Sequence, residues 1–227
     1  MSRIFVPTTS PEDWRELLAD PETHWRTGFS AKALAFCWEE AEGFPPEVCR
    51  LLSESEIPSF KDIQLLLAIA EYQVPLPGGR RPSQNDIFVL AKAQGQLIVI
   101  MVEGKVSESF GPTVGEWKAS ESKGRTQRLK FIKEQLGLTQ ELPLDIRYQL
   151  LHRTASAVIE AIRFNARSAA MLVHSFSEDD QGFEDYRAFL GLFRVRAKPD
   201  RLIFVRETQG INLYCGWTRG NPKYLEV

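Results

Sequence analysis

Two apolar runs around a two-residue turn constrain this chain more than any other stretch. Within residues 81–111, Ile-Phe-Val-Leu-Ala at 87–91 and Leu-Ile-Val-Ile-Met-Val at 97–102 flank Gln94-Gly95. Runs of this length, rich in β-branched residues and joined by a Gly-containing turn, predict a β-hairpin. Their nearly unbroken apolar character predicts burial on both faces. A tight turn at Gln94-Gly95 also fixes the register. Asp86 opens the first strand and lies directly opposite Glu103, which closes the second. Lys105 is two residues further on, so it points to the same face as Glu103. Three charges thus meet at one end of a buried sheet. Clustered like charges at such a rim cost stability, and a divalent cation between the carboxylates would remove the repulsion. Magnesium suits two carboxylates plus water and phosphate, with manganese as its substitute. A lysine beside it would orient a water or stabilise a phosphoryl oxygen.

Asp86, sixteen intervening residues and Glu103-Gly104-Lys105 resemble the signature of the PD-(D/E)XK nuclease superfamily, with Asn85 where the motif has proline. The specific likeness covers about residues 82–105, and the order of elements extends it through about residue 176. The resemblance implies an α/β fold: a mixed central sheet flanked by helices, with a restriction-endonuclease-like core and an N-terminal helical region. It implies hydrolysis of phosphodiesters of DNA, with RNA as the variant, using Mg²⁺ or Mn²⁺. Asp86 and Glu103 would ligate the metal and Lys105 would orient the water. In that superfamily a Glu from the helix preceding the sheet often joins the metal. Glu71 holds that position here, with Glu39 and Glu40 as weaker candidates upstream. A polar residue on the helix after the lysine strand usually approaches the substrate, and Gln149 or Arg153 would fill that place. The whole chain also resembles uncharacterised bacterial proteins of this length, a likeness that implies no activity.

Composition sets the outer bounds. At 227 residues, 43% apolar and 26% charged, the chain fits one soluble globular domain. No apolar run approaches 18 residues, and the N-terminus has no long apolar stretch, so neither a membrane span nor a secretory leader is expected. Cys37, Cys49 and Cys215 are odd in number and widely spaced, as in a reduced cytoplasmic protein; no Cys-x-x-Cys or His-x-His pair points to zinc. Gly104-Lys105 is not a phosphate loop, because Val106 and Val99 replace the required Ser/Thr and Gly. No nucleophile elbow or dinucleotide loop occurs. His152, on an amphipathic helix, and His174, within an apolar strand, read as structural histidines. Net charge is −2, but it is unevenly spread. Residues 1–79 carry 6 Lys/Arg against 13 Asp/Glu, residues 80–167 carry 14 against 9, and the remainder is balanced. The basic excess surrounds the hairpin, where a phosphate backbone would need it.

In chain order, Ser10-Pro11 starts a helix. Ser30 caps a second over 31–42, and Pro45-Pro46 starts a third through 52. Ser59 caps a fourth, whose apolar run 63–70 is expected to be buried all round. Residues 75–84 form a loop in which Gly78-Gly79 frees the backbone and Arg80-Arg81 would grip phosphate. Thr113 and Glu116 make a capping box. A helix over 125–136 ends at Gly137 and carries Arg125, Arg128, Lys130 and Lys133 as further phosphate contacts. Asp145 caps a long helix over 146–167. A buried strand spans 169–176 and a short helix 183–193. Strands 202–206 and 211–217 form a second hairpin around Gln209-Gly210, as a sheet extension or edge ribbon. The expected division within one domain is a helical part at 1–73, a nuclease-like core at 74–177 and a C-terminal helix and hairpin at 178–227. The expected partner is nucleic acid, DNA foremost, with no membrane and with a dimer allowed. The alternative to an enzyme is a degenerate, inactive module of the same fold that binds protein or nucleic acid.

Overall fold

In the computed structural model, which describes residues 8–120 and 122–227, the hairpin forms as β2 (Ser83–Ala93) and β3 (Gln96–Lys105). Their pairing runs antiparallel from Ile87 opposite Val102 to Ala93 opposite Gln96. The same register carries Asp86 opposite Glu103. Gln94 and Gly95 both have positive φ, 49° and 77°. That is the backbone twist a two-residue hairpin turn requires. The reading of residues 1–7 as lacking a leader lies outside the described residues.

The hairpin sits inside a six-stranded mixed sheet of order β1-β2-β3-β4-β6-β5. β1 (Gln64–Val74) pairs antiparallel with β2. β4 (Ser168–Ser175) lies parallel to both β3 and β6 (Ile211–Arg219). β5 (Arg201–Thr208) closes the far edge, antiparallel to β6. Of the second hairpin, then, β5 is the edge and β6 lies in the interior of the sheet. Helices cover both faces. α1 (Asp13–Leu17), α2 (Pro21–His24), α3 (Ser30–Glu40) and α4 (Pro46–Ser53) precede the sheet. α3 and α4 pack Leu34, Trp38, Val48 and Leu52 against Ile98, Ile100 and Leu172. α5 (Val114–Lys118), α6 (Lys123–Leu136) and α7 (Tyr148–Arg163) lie between β3 and β4, and α8 (Phe183–Gly191) lies between β4 and β5. On the other face, Leu151, Ala155 and Val158 of α7 meet Val99, Met101 and Met171. The two faces divide each central strand residue by residue, which is why β3 and β4 read as unbroken apolar runs. No helix among the described residues is long and apolar enough to cross a membrane.

Several expectations fail. The first helix has Glu12 at its N-cap rather than starting at Ser10-Pro11, and Ser30 lies inside α3, whose N-cap is Phe29. Residues 63–70 are not a helix capped by Ser59. Pro58–Phe60 forms a single 3-10 turn and the following residues are β1. β1 is an edge strand with alternating exposure, and Leu66 is largely exposed, so the run is not buried all round. A short apolar run satisfies either period, and the free edge of β2 supplies the hydrogen bonds that decide for a strand. The division at residue 73 therefore falls inside the sheet. Asp145, likewise, does not cap the long helix. α7 begins at Tyr148 after Arg147, because residues 144–146 form a turn whose carbonyls accept from the Gly115 and Val114 amides, and Arg147 bridges Thr113.

Candidate active site

Backbone register brings the three motif residues together. Glu103 and Lys105 project from the end of β3 toward α7, with residue exposures of 2% and 5%. Lys105 Nζ lies 2.9 Å from Glu103 Oε1 and 5.0 Å from the Phe110 ring centroid. Gln149 and Arg153, one turn apart on α7, reach the same carboxylate. Gln149 Nε2 donates to Glu103 Oε1 at 2.6 Å, and Arg153 Nε donates to Oε2 at 2.6 Å. Asp86 Oδ2 accepts the Gly104 amide at 2.7 Å, while its Oδ1 stands 3.9 Å from the Arg153 guanidinium.

Glu71 enters the same cavity, but from β1 rather than from a helix end. Its φ is +51°, a left-handed conformation in the middle of a strand. Ladder pairing passes over it, from Ala70–Ile87 to Tyr72–Asn85, which sets it across from Asp86. A non-glycine residue held there is strained, and such strain gathers at functional positions. Gln84 Nε2 donates to Glu71 Oε2 at 2.7 Å.

The electrostatics are unbalanced. Burial, then the charge of Asp86, pushes the Glu71 carboxyl up to about 8. Burial, then the charge of Glu103, pushes Asp86 up to about 7. Burial would raise Glu103 too, but the Arg153 and Lys105 charges outweigh it and hold that carboxyl below its usual range. Gln149 Oε1 is buried with no hydrogen-bond partner among the described residues. Oxygen atoms with incomplete partners beside acids that repel one another fit a hard divalent cation. Asp86, Glu71 and the Gln149 carbonyl would hold it most readily, since both oxygens of Glu103 already accept from cations or amides. The ligand atoms of Glu71, Asp86 and Glu103 do not all lie within 4.8 Å of one another, so holding an ion would require these side chains to draw together.

Other candidates lie apart. Arg80 and Arg81 are exposed on the β1–β2 loop and do not line the cavity. The loop is fixed to the start of α6 by a backbone-to-backbone contact. A Cβ added at Gly78 would meet the Gly124 carbonyl oxygen at 2.0 Å, so no side chain fits there. Arg128, expected on an exposed face, is buried and donates to the carbonyls of Leu76 and Pro77 at 3.2 and 2.9 Å. It braces the loop and is closed to phosphate. Glu39 accepts from Trp14 Nε1 and Glu40 pairs with Lys223, and neither lines the cavity.

Sequence reading passed over one cluster. Cys37, Glu47 and His174 bring one ligand atom each within 4.8 Å of one another. Hydrogen bonding explains this group without a metal. Trp38 Nε1–H donates to His174 Nδ1 at 3.3 Å, which leaves the ring proton on Nε2, where Glu47 Oε1 lies at 2.9 Å. A metal at Nε2 would need that proton moved to Nδ1, against the Trp38 N–H. Cys37 Sγ also donates to Glu47 Oε1 at 3.5 Å, and burial, then the charge of Glu47, pushes the thiol far above its usual range. No local spacing announces the cluster, because His174 is 127 residues from Glu47.

The chain belongs to the family described as Domain of unknown function (DUF6946), which matches residues 7–222. Comparison with curated proteins and with solved structures gave no match.

Proposed function

We propose that this member of the DUF6946 family is a metal-dependent nuclease of the PD-(D/E)XK type, hydrolysing phosphodiester bonds of DNA or RNA. The observation that carries the reading is the convergence of Asp86, Glu103 and Lys105 at one end of the sheet, joined there by Glu71, Gln149 and Arg153. Charge placement supports it. Exposed Arg80 and Arg81 stand on the loop that enters β2, three and two residues before Ser83, and exposed Lys123 begins the helix clasped to that loop. These cations lie at the sheet end that carries the acids, where a phosphate backbone would meet them.

Bound Mg²⁺ or Mn²⁺ would supply Lewis-acid stabilisation of the phosphoryl oxygens and lower the pKa of a water. Asp86, Glu71 and Gln149 are the residues that would hold it, with Glu103 joining as its partners shift. Lys105, fixed between Glu103 and the face of Phe110, would set its ammonium against negative charge developing on phosphorus-bound oxygen. Arg153 bridges toward both acids and would turn one N–H to a non-bridging phosphate oxygen as Glu103 is engaged. Water adds to phosphorus, one P–O ester bond breaks, and the leaving oxygen takes up a proton. The test is cleavage of labelled oligonucleotides and plasmid in Mn²⁺. Activity that survives in both Asp86→Ala and Lys105→Ala would overturn the assignment.

One observation favours a second reading, a nuclease-like module that binds without cutting. Glu103 is already saturated by Lys105, Gln149 and Arg153. Thermal denaturation separates the two readings. A rise in Tm with millimolar Mn²⁺ that is lost in Asp86→Ala supports the enzyme, and an unchanged Tm supports the module.

A further inference from the structure

The acids are recessed as well as clustered. In front of them is a cavity of about 360 Å³ with three kinds of wall. α7 contributes Gln149 and Arg153, and the turn after β3 contributes Glu108 and Ser109. The third wall comes from the N-terminal segment, with Leu18, His24 and Ser30 facing the acids. That segment is tied down at several points. Trp14 is buried, and its indole N–H donates to Glu39 Oε1 at 2.7 Å. The Ser30 amide donates to Glu108 Oε1 at 2.8 Å, and the other oxygen of the same carboxylate accepts the Val106 amide. The wall is thereby fastened to the backbone one residue past Lys105.

A recess of this size is that of a small-molecule pocket, enough for about one nucleotide. A continuous duplex holds each phosphate on a stiff, stacked cylinder. It lowers one into a recess only by unstacking and extruding a nucleotide, whereas an unpaired strand does so freely. The exposed cations Arg80, Arg81 and Lys123 do not line the recess; they stand at the same end of the sheet, on the loop that enters β2 and on the helix start clasped to it. A cationic track beside a narrow site is how sequence-tolerant single-strand binders hold their ligand.

Resting on the nuclease reading above, we infer that the substrate is an unpaired polynucleotide strand, either single-stranded throughout or a single-stranded tail, and that continuous duplex is excluded by the N-terminal wall. Arg80, Arg81 and Lys123 hold the strand's backbone beyond the cavity while one nucleotide enters it.

The experiment uses the full chain and one labelled 20-mer sequence, as DNA and as RNA, offered single-stranded, in blunt duplex and as a 3′ or 5′ tail on a duplex. A covalently closed relaxed circle is the fourth substrate. Binding is read by fluorescence anisotropy in Ca²⁺, and cleavage in Mn²⁺. The expected result is single-strand affinity at least tenfold above that for blunt duplex, cutting confined to single strands and tails, and an intact circle. Arg80→Glu with Arg81→Glu should weaken single-strand binding about tenfold and flatten its salt dependence. Glu108→Ala, which unties the wall, should raise the ratio of duplex to single-strand cleavage. Duplex and circle cut as fast as single strands would overturn the inference and leave the nuclease reading standing. Tight, selective single-strand binding without cleavage of any substrate would overturn the nuclease reading and keep the selectivity. Loss of both binding and cleavage would overturn both.

Discussion

Glu103 pairs with Val173 and Gly104 with His174, so Glu103 and His174 lie one rung apart on opposite faces of the same sheet. Both are buried. On the His174 face every polar group has its counterpart: Trp38 N–H to Nδ1, Nε2–H to Glu47, Cys37 S–H to the same carboxylate. On the Glu103 face three acids share two cations, two carboxyls are pushed toward neutrality, a glutamine carbonyl lacks a donor and Glu71 holds a left-handed backbone. The lesson is that buried polarity alone does not mark a site. A closed network specifies packing, while an incompletely matched one with shifted acids is a candidate for a ligand.

The comparison breaks most visibly through catalysis. Lys105→Ala should reduce Mn²⁺-dependent cleavage about 10²–10³-fold, whereas His174→Ala, assayed well below its Tm, should keep most of it. The reverse pattern would place the chemistry on the wrong face. Stability should divide the other way. Glu47→Ala leaves His174 and Cys37 donors without an acceptor and should cost about 2–3 kcal/mol in urea denaturation. Glu71→Gln removes a repelled charge and should be neutral or stabilising by about 1 kcal/mol at pH 8.

Acidity gives a smaller effect with a definite sign. Asp86 and Glu71 are raised from 3.8 and 4.5 to about 7 and about 8. The native state therefore keeps protons that the unfolded chain has released. The stability they contribute is complete below about pH 4 and falls away as pH rises through 7 and 8. Melting followed from pH 5 to 9 should show that decline. Glu71→Gln should flatten it, and Mn²⁺ should reverse it on the alkaline side. A wild-type profile already flat over that range would mean the acids are matched by charges near them. The smallest expectation is an absence: Cys37→Ser should leave the Tm response to Mn²⁺ and to Zn²⁺ unchanged. A Zn²⁺-dependent rise lost in that variant would turn the closed network into a metal centre.

Legibility followed the range of the interactions. The hairpin register was readable because a two-residue turn and a period of two leave one way to pair Asp86 with Glu103. The Thr113–Glu116 capping box and the Gly137 terminus, with φ of 63°, were readable because a cap is local. β1 was not readable, since its apolar run suited either period until β2 offered an edge. Glu71 reached the cavity by a route that the sequence reading misassigned. Arg128 looked like a surface cation because the carbonyls that bury it, at Leu76 and Pro77, are some fifty residues away in the chain. The wall of residues 18–31 and the His174 network depend on contacts that no spacing rule reaches.

The placement of β4 bears on how the molecule assembles. β2 with β3 and β5 with β6 are each zipped by turns of two residues and can form within their own stretch of chain. β4 has no such neighbour: it lies parallel between β3 and β6 and meets each only after a long crossover has closed. Closing those loops before their contacts are made is the slow kind of search. The two ribbons should therefore acquire amide protection early in refolding, and Ser168–Ser175 should be the keystone set last, simultaneously with α7.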